Sequence, residues 1–472
     1  MKNKPLLTSS QTAHFRARFG NKKQFSQALM PVRGPYGFRE LDYDFPNKLD
    51  PQAIINKIKE HGFNSFGLVV KDTDGATLAN TPHSWNPSGR DLVAEFAELC
   101  EQNDIIFMIS VTNMNDAYRG YTNPETVSIH FKNPKIFAKD HSAGDAATHP
   151  EGEMRVTLPE GVTFEEMKKR IPFLTKKYDG EIGASRDARG QGYIPLTSFH
   201  CPRSKHAEYM IKLIKELTQK YSVDGVLADY IRFHHGYTDL CGCERCRKAF
   251  SEEYPGKEFG KGREWIQFKK NTIVEYGQRF NDAIKSVDEE IVTGWFSLPG
   301  PKIYTNRFIA QDYRKLTKSM DTALPMTYPY LTGTIDDGKR WGLLGNAAHW
   351  YFQRNMKRRF RDYAPKDSDK GVFCITNSVE CNSEEMLKQC IAYDYGLGIA
   401  LFKYFGTSDA QWYACKLYSE ILNKQEVGDP APTKKEIRAI LRQVYKKYPP
   451  KVTPRWWKKE QRAEKMGENN RG

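Results

Sequence analysis

Asp229 is the residue in this sequence best placed to do chemistry. It ends the run DGVLAD at 224–229, and Arg232 follows three residues later. A short apolar run ending on a carboxylate reads as a buried parallel strand, whose polar residues collect at the exposed carboxyl end. A carboxylate held there by a rigid strand is a candidate nucleophile or base. The competing reading is that Asp229 only forms an ion pair with Arg232. A second cluster follows at once: Cys241, Cys243 and Cys246 stand in a Cys-x-Cys-x2-Cys pattern. Three thiolates at this spacing can hold a structural zinc if His234, His235 or Cys201 supplies a fourth ligand. The alternative is a reduced, partly buried cluster that pins a loop. No cofactor is otherwise called for, since the sequence has no glycine-rich phosphate loop, dinucleotide fingerprint or HExxH helix.

The elements that must position these groups alternate between strand-length and helix-length patterns. QALMPV at 27–32 reads as a first strand, and Asp50 with Pro51 opens a helix carrying Ile54, Ile55 and Ile58 on one face. FNSFGLVV at 63–70 is a second strand, running into Lys71, Asp72 and Asp74, and SGRDLVAEFAELCEQ at 88–102 reads as a helix. IIFMISV at 105–111 is a third strand with Asn113 and Asp116 beyond it, and the run at 224–229 is the fourth. EIVTGWFS, DTALPMTYPY, KGVFCITNS and GIALFKYF, starting at 290, 321, 370 and 398, complete eight. Eight strands with intervening helices is the number at which a parallel sheet closes, so the expected fold is α/β, a (β/α)8 barrel over about 27–428 preceded by an extension at 1–26. Between strands three and four the rhythm breaks from about 112 to 196. One helix is expected there, opened by a capping box at Thr163 and Glu166. So long a connection is expected to roof the carboxyl end of the barrel.

Composition sets the outer limits. The 472 residues carry a net charge of +14, but Thr433 to Gly472 hold 13 Lys and Arg against 4 Glu, so +9 of it belongs to the C-terminal segment. This basic extension, 429–472, reads as one amphipathic helix followed by a polar end, helical or disordered. It is the part that can meet nucleic acid or another anionic surface. The first residues show no leader pattern and no stretch is long and apolar enough for a membrane span, so a cytoplasmic protein is expected. Nine cysteines, an odd number, fit reduced thiols better than a disulfide framework. The oligomeric state is not legible.

Two stretches resemble a known group. The run at 69–111, with Lys71, Asp74, Gly75, Trp85 and Arg90 to Val93 in order, resembles α-L-fucosidases and a set of glycosyl-hydrolase-like barrels. The stretches at 201–233 and 241–250 resemble the latter more closely. The resemblance implies a glycosidase acting on a carbohydrate by two carboxyl groups, with Asp229 at the position of the nucleophile. Where fucosidases carry a His pair in the strand-two turn, this chain has Asp72 and Thr73, which argues against fucose. Such chemistry asks for a second carboxyl to protonate the leaving oxygen. Glu380, just past strand seven, is the first choice, ahead of Asp72, Asp74 and Asp116. It also suits a cap for the helix near Ser383. Lys71, Asp72, Asp74, Trp85, Asn113, Arg232, Trp295, Tyr328 and Lys403, all near strand exits, are the expected sugar contacts, although for Lys71, as for Arg232, an ion pair with a neighbouring Asp is the favoured alternative. MTY at 326–328 and DGVLAD also resemble chitinase-like barrels, but Ile231 occupies the position of their acid. Two readings compete with hydrolysis: a catalytically silent carbohydrate-binding barrel, and an adaptor that works through the basic extension.

Overall fold

The computed structural model describes residues 22–34, 40–132, 153–176, 192–195, 199–234, 239–298, 302–328, 335–336, 339–340, 371–372, 374–378, 381–394, 397–451 and 453–469. Eight parallel strands form the barrel: β1 (Gln24–Leu29), β2 (Ser65–Lys71), β3 (Ile106–Thr112), β4 (Gly225–Asp229), β5 (Val292–Ser297), β6 (Thr322–Pro325), β7 in two segments (Gly371–Val372 and Cys374–Asn377) and β8 (Gly398–Phe402). Consecutive strands pair in order from β1 to β6, and β8 pairs with β1. The first segment of β7 pairs with β6 and the second with β8, so the ring closes through β7. The expected barrel is therefore present. Its β1 starts at Gln24, three residues before the predicted run, and the chain from Pro31 to Arg33 is already a tight turn. At the β8–β1 seam Gly398 has φ +128°, and a Cβ there would lie 2.0 Å from the carbonyl oxygen of Gln24, so only glycine permits this approach.

Helices wrap the strands where caps and apolar faces predicted them. Asp50 accepts the amide of Ala53 to open α1 (Pro51–Glu60), whose Ile54, Ile55 and Ile58 are buried. The next helix, α2 (Leu92–Gln102), starts later than expected, with Asp91 as its cap. Arg90 is spent on the turn before it: the guanidinium donates to the carbonyls of Pro46 and Leu49 at 2.9 Å and pairs with Glu95 at 2.7 Å. Then come α3 (Lys205–Lys220), α4 (Glu244–Glu253), α5 (Gly262–Lys285), α6 (Tyr313–Ser319), α7 (Ser383–Tyr393) and α8 (Asp409–Leu422).

Two apolar layers result. Met108, Leu227, Val292, Phe296, Leu324, Ile375 and Phe402 fill the inside of the ring, while Val226, Ala228, Trp295 and their neighbours pack outward against the helices.

The connection from β3 to β4 contains a short helix (Ala117–Thr122) and a helix at Phe164–Arg170, opened by the capping box of Thr163 and Glu166. It also contributes to a four-stranded sheet in which Glu153–Val156 pairs with Glu40–Leu41 from the loop after β1. Trp85, in the loop after β2, donates its indole N–H to the carbonyl of Arg170. The connection is thus tied to loops that leave the carboxyl ends of β1 and β2.

The C-terminal segment holds two helices, α9 (Lys434–Lys447) and α10 (Arg455–Asn469), where the sequence pattern suggested one. Both dock on the body, since Tyr445 and Trp456 donate to Glu384 of α7 and Trp457 is buried, while Arg442 of α9 pairs with Glu460 of α10 and joins the two helices. Among the described residues no helix is long and apolar enough to cross a membrane.

Candidate active site and cysteine cluster

At the carboxyl end of β4, Asp229 is partly exposed while the four residues before it are buried. The amide of Tyr230 donates to its Oδ1 at 2.7 Å. Burial pushes this carboxyl up to about 6, and the neighbouring Asp72 charge adds to the rise; the Tyr230 hydrogen bond and the Arg232 charge oppose it. Tyr230 itself sits at φ +51°, a left-handed conformation rare for a bulky side chain. Strain of this kind gathers where a chain must aim functional groups. Arg232 lies with its guanidinium 4.3 Å from the Tyr230 ring centre and 5.3 Å from that of Phe199. It is buried, its Nε has no acceptor, and no carboxylate pairs with it among the described residues. The simple Asp229–Arg232 ion pair is therefore not what the fold builds.

Loops after β1 and β2 supply the facing groups. Arg33 binds Asp72 through two nitrogens, and the amide of Thr73 adds a third hydrogen bond at 2.6 Å. Burial works against ionisation of Asp72, but the adjoining Arg33 prevails and holds it below the usual carboxylate range. Asp74 is wholly buried and accepts a 2.6 Å hydrogen bond from the hydroxyl of Tyr43. Desolvation, and then the Asp72 charge, push its carboxyl up to about 7. Two adjacent strand-exit carboxyls are thus driven in opposite directions, one fixed as an anion and one poised to hold a proton.

Several residues expected to touch sugar are otherwise engaged. Lys71 is fully buried, paired with Asp116 at 2.9 Å and donating to the carbonyl of Thr112. Asn113 is also buried: its amide nitrogen donates to the carbonyls of Val111 and Asp229, and its oxygen accepts from Tyr276. It pins β3 to the exit of β4 and positions Asp229 from behind. Trp85 stacks on Tyr118 at 4.3 Å and packs against Phe173, so it anchors the long connection. Trp295 faces the outer layer beside Tyr313 and is fully buried. Tyr328, stacked on Phe402, belongs to the inner layer, and Lys403 reaches the carbonyl of Gly34 in the loop after β1. Glu380 and His235 lie outside the described residues. Arg33, Tyr43 and Tyr230 were not singled out from the sequence. Arg33 and Tyr43 flank the aperiodic stretch GPYGFRE at 34–40, where no pattern assigns a direction to a side chain.

The cysteine pattern closes on itself in space. Cys201, from the turn before α3, joins Cys241, Cys243 and Cys246, and the four sulfurs lie within 4.8 Å of one another, all buried. Neither His234 nor any other histidine among the described residues joins this group.

No protein-family model matches the chain, and no curated protein sequence matches it. Solved structures do. An α-L-fucosidase, isoenzyme 2 from Paenibacillus thiaminolyticus, superposes with a TM-score of 0.51 at 12% identity, over 84% of this chain and 49% of its own. The glycoside hydrolase domain of PgaB (BpsB) from Bordetella bronchiseptica gives 0.50 at 11% identity, over 85% of this chain and 98% of its own. A β-galactosidase from Rahnella sp. R3 gives 0.52 at 10% identity, over 85% of this chain and 56% of its own. The chain thus spans about half the length of that fucosidase and of that galactosidase. At such identities the likeness is one of fold: the chain carries a (β/α)8 barrel of the kind found in glycosidases.

Proposed function

We propose that the chain is a glycoside hydrolase that uses two carboxyl groups, Asp229 as the nucleophile and Glu380 as the acid. The observation that carries this reading is the state of Asp229. Of the carboxyls at the exits of β2, β3 and β4, Asp72 and Asp116 are in ion pairs and Asp74 is sealed against Tyr43. Asp229 alone is partly exposed and outside any ion pair among the described residues. At about 6 it is mostly ionised at neutral pH, as attack requires.

In the first step a carboxylate oxygen of Asp229 bonds to the anomeric carbon while the glycosidic C–O bond breaks. The proton of Glu380 passes to the leaving oxygen. In the second step Glu380 removes a proton from water, the water oxygen bonds to the anomeric carbon, and Asp229 leaves as carboxylate. Arg232, close enough to lower the Asp229 carboxyl, would meet sugar hydroxyls or a negative substituent. The Arg33–Asp72 pair tunes the field around Asp229.

Aryl glycosides test the reading. Wild type should turn over at least one member of a panel, and Asp229→Asn should lose that turnover while still binding glycan. A wild type that binds glycan without any turnover would mark a silent binding barrel and refute the enzyme.

A further inference from the structure

The four cysteines are drawn from two places 40 residues apart in sequence, yet their sulfurs converge in one buried pocket. The Cys201 and Cys246 sulfurs are 3.5 Å apart, and those of Cys201 and Cys243 are 3.6 Å apart. A disulfide would need about 2.05 Å. Four sulfurs held tetrahedrally at the usual zinc–thiolate bond of about 2.3 Å stand about 3.8 Å from one another. The two distances from Cys201 already approach that spacing, and no pair of the four is more than 4.8 Å apart.

Local structure explains the arrangement. Cys243 is the N-cap of α4 and Cys246 lies in its first turn, so the x2 spacing turns both sulfurs to the same side. Gly242 lets the loop press flat: its amide donates to the carbonyl of Ile129 at 2.6 Å, and a Cβ there would meet the Phe131 Cβ at 2.4 Å. The amide of Ile129 points at the sulfur of Cys241 at 3.4 Å, the kind of N–H to sulfur contact that supports a thiolate ligand. Cys201 is fixed from the other side. Its amide donates to the carbonyl of Thr126, and its carbonyl accepts from Ser204, the cap of α3.

We propose that Cys201, Cys241, Cys243 and Cys246 bind one zinc ion in a structural, four-thiolate site. Four protein ligands leave no open position, so the ion takes no part in the reaction chemistry. Its work is to clamp three segments together: the 126–131 stretch after β3, the return of the long connection at Phe199 to Cys201, and the loop that joins β4 to α4. Phe199 is the residue through which the clamp reaches the candidate site, because it packs against Arg232 and the His234 ring. Zinc binding is argued from these sulfurs alone and does not depend on the glycosidase reading.

The test is elemental analysis of the full chain, purified without chelator and under reducing conditions. One zinc per chain is expected, released as a mercurial titrates the thiols. Cobalt reconstitution should give the visible bands of a tetrahedral thiolate site. Cys201→Ser and Cys246→Ser should each lose the metal, whereas Cys390→Ser, at a buried cysteine outside the cluster, should keep it. Zinc well short of one per chain in wild type, iron in its place, or a disulfide among the four would overturn the site. The wild-type measurement decides the matter even if a serine variant fails to fold.

Discussion

Arg33 grips Asp72 at two points, Nε to Oδ2 at 2.5 Å and Nη2 to Oδ1 at 3.1 Å. This pair joins the loop after β1 to the exit of β2 and fixes a negative charge that raises the Asp229 carboxyl. If Asp229 must be ionised to attack, the acid limb of kcat/KM reports its titration in the free enzyme, near pH 6. In Asp72→Asn the repelling charge is gone and Arg33 is left positive nearby. The acid limb should therefore move to lower pH, as read from a pH–rate profile.

Arg232 acts with the opposite sign. Its charge lowers the Asp229 carboxyl, so Arg232→Gln should move the acid limb to higher pH and raise KM. A profile unchanged in both variants would show that neither charge is felt at the reacting carboxyl.

Asp229 also leaves a mark on stability. Its folded-state value, about 6, lies above the ordinary aspartate value of 3.8, so the folded protein holds the proton more tightly than the unfolded chain does. Below about pH 3, under the unfolded value, both states are protonated and the penalty vanishes. As pH rises from there through 6 the unfolded state gains by ionising first, and above 6 the penalty is constant. Asp229→Asn should therefore stabilise the fold by roughly 1–3 kcal/mol at pH 7–8, reduced by water around the partly exposed side chain, and give almost no gain near pH 3. Urea melts at the two pH values check the sign.

The Lys71–Asp116 pair is fully buried, and Lys71 is held further by the carbonyl of Thr112. Removing one member leaves an uncompensated charge in the interior. Lys71→Met should cost about 3–5 kcal/mol, and the double variant Lys71→Met with Asp116→Leu should recover part of that loss. The double-mutant cycle in urea unfolding measures the coupling.

The docked C-terminal helices give a check on the body of the fold. Trp457 is buried, and Trp456 and Tyr445 share Glu384 of α7 as acceptor. Trp457→Ala should destabilise by about 3–5 kcal/mol, with the urea midpoint falling. A loss below 0.5 kcal/mol, typical of surface substitutions, would mean that α10 does not hold to the body.

How much of this was legible follows from which signals are local. Eight apolar runs, each followed by polar residues, gave away the ring, and DGVLAD placed Asp229 at its rim. Caps such as Asp50 and the Thr163–Glu166 box are complete within four residues, so they could be read off directly. The side on which a strand residue faces could not. In a strand covered on both faces the apolar pattern carries no parity. Trp295 read as a rim aromatic, yet it turns outward while Phe296 fills the ring. Asn113 misled for a related reason: a polar residue at a strand exit reads as a ligand until the fold brings up Tyr276 to occupy it. For Lys71 the expected ion pair with a nearby Asp is the one the fold builds, with Asp116. Arg33 and Tyr43 were hidden by an irregular loop. Cys201 was one of three candidates for a fourth ligand, because nothing in its own neighbourhood points to residues forty positions away.

The central claim is that Asp229 is the attacking carboxylate, and turnover of an aryl glycoside panel by wild type and Asp229→Asn, with and without azide, tests it most directly. The account predicts wild-type turnover, a loss of about a thousandfold or more in the variant, and partial recovery as azide supplies the missing nucleophile and yields a glycosyl azide. A variant that turns over within a few-fold of wild type, or a wild type that hydrolyses no glycoside in the panel, would contradict it.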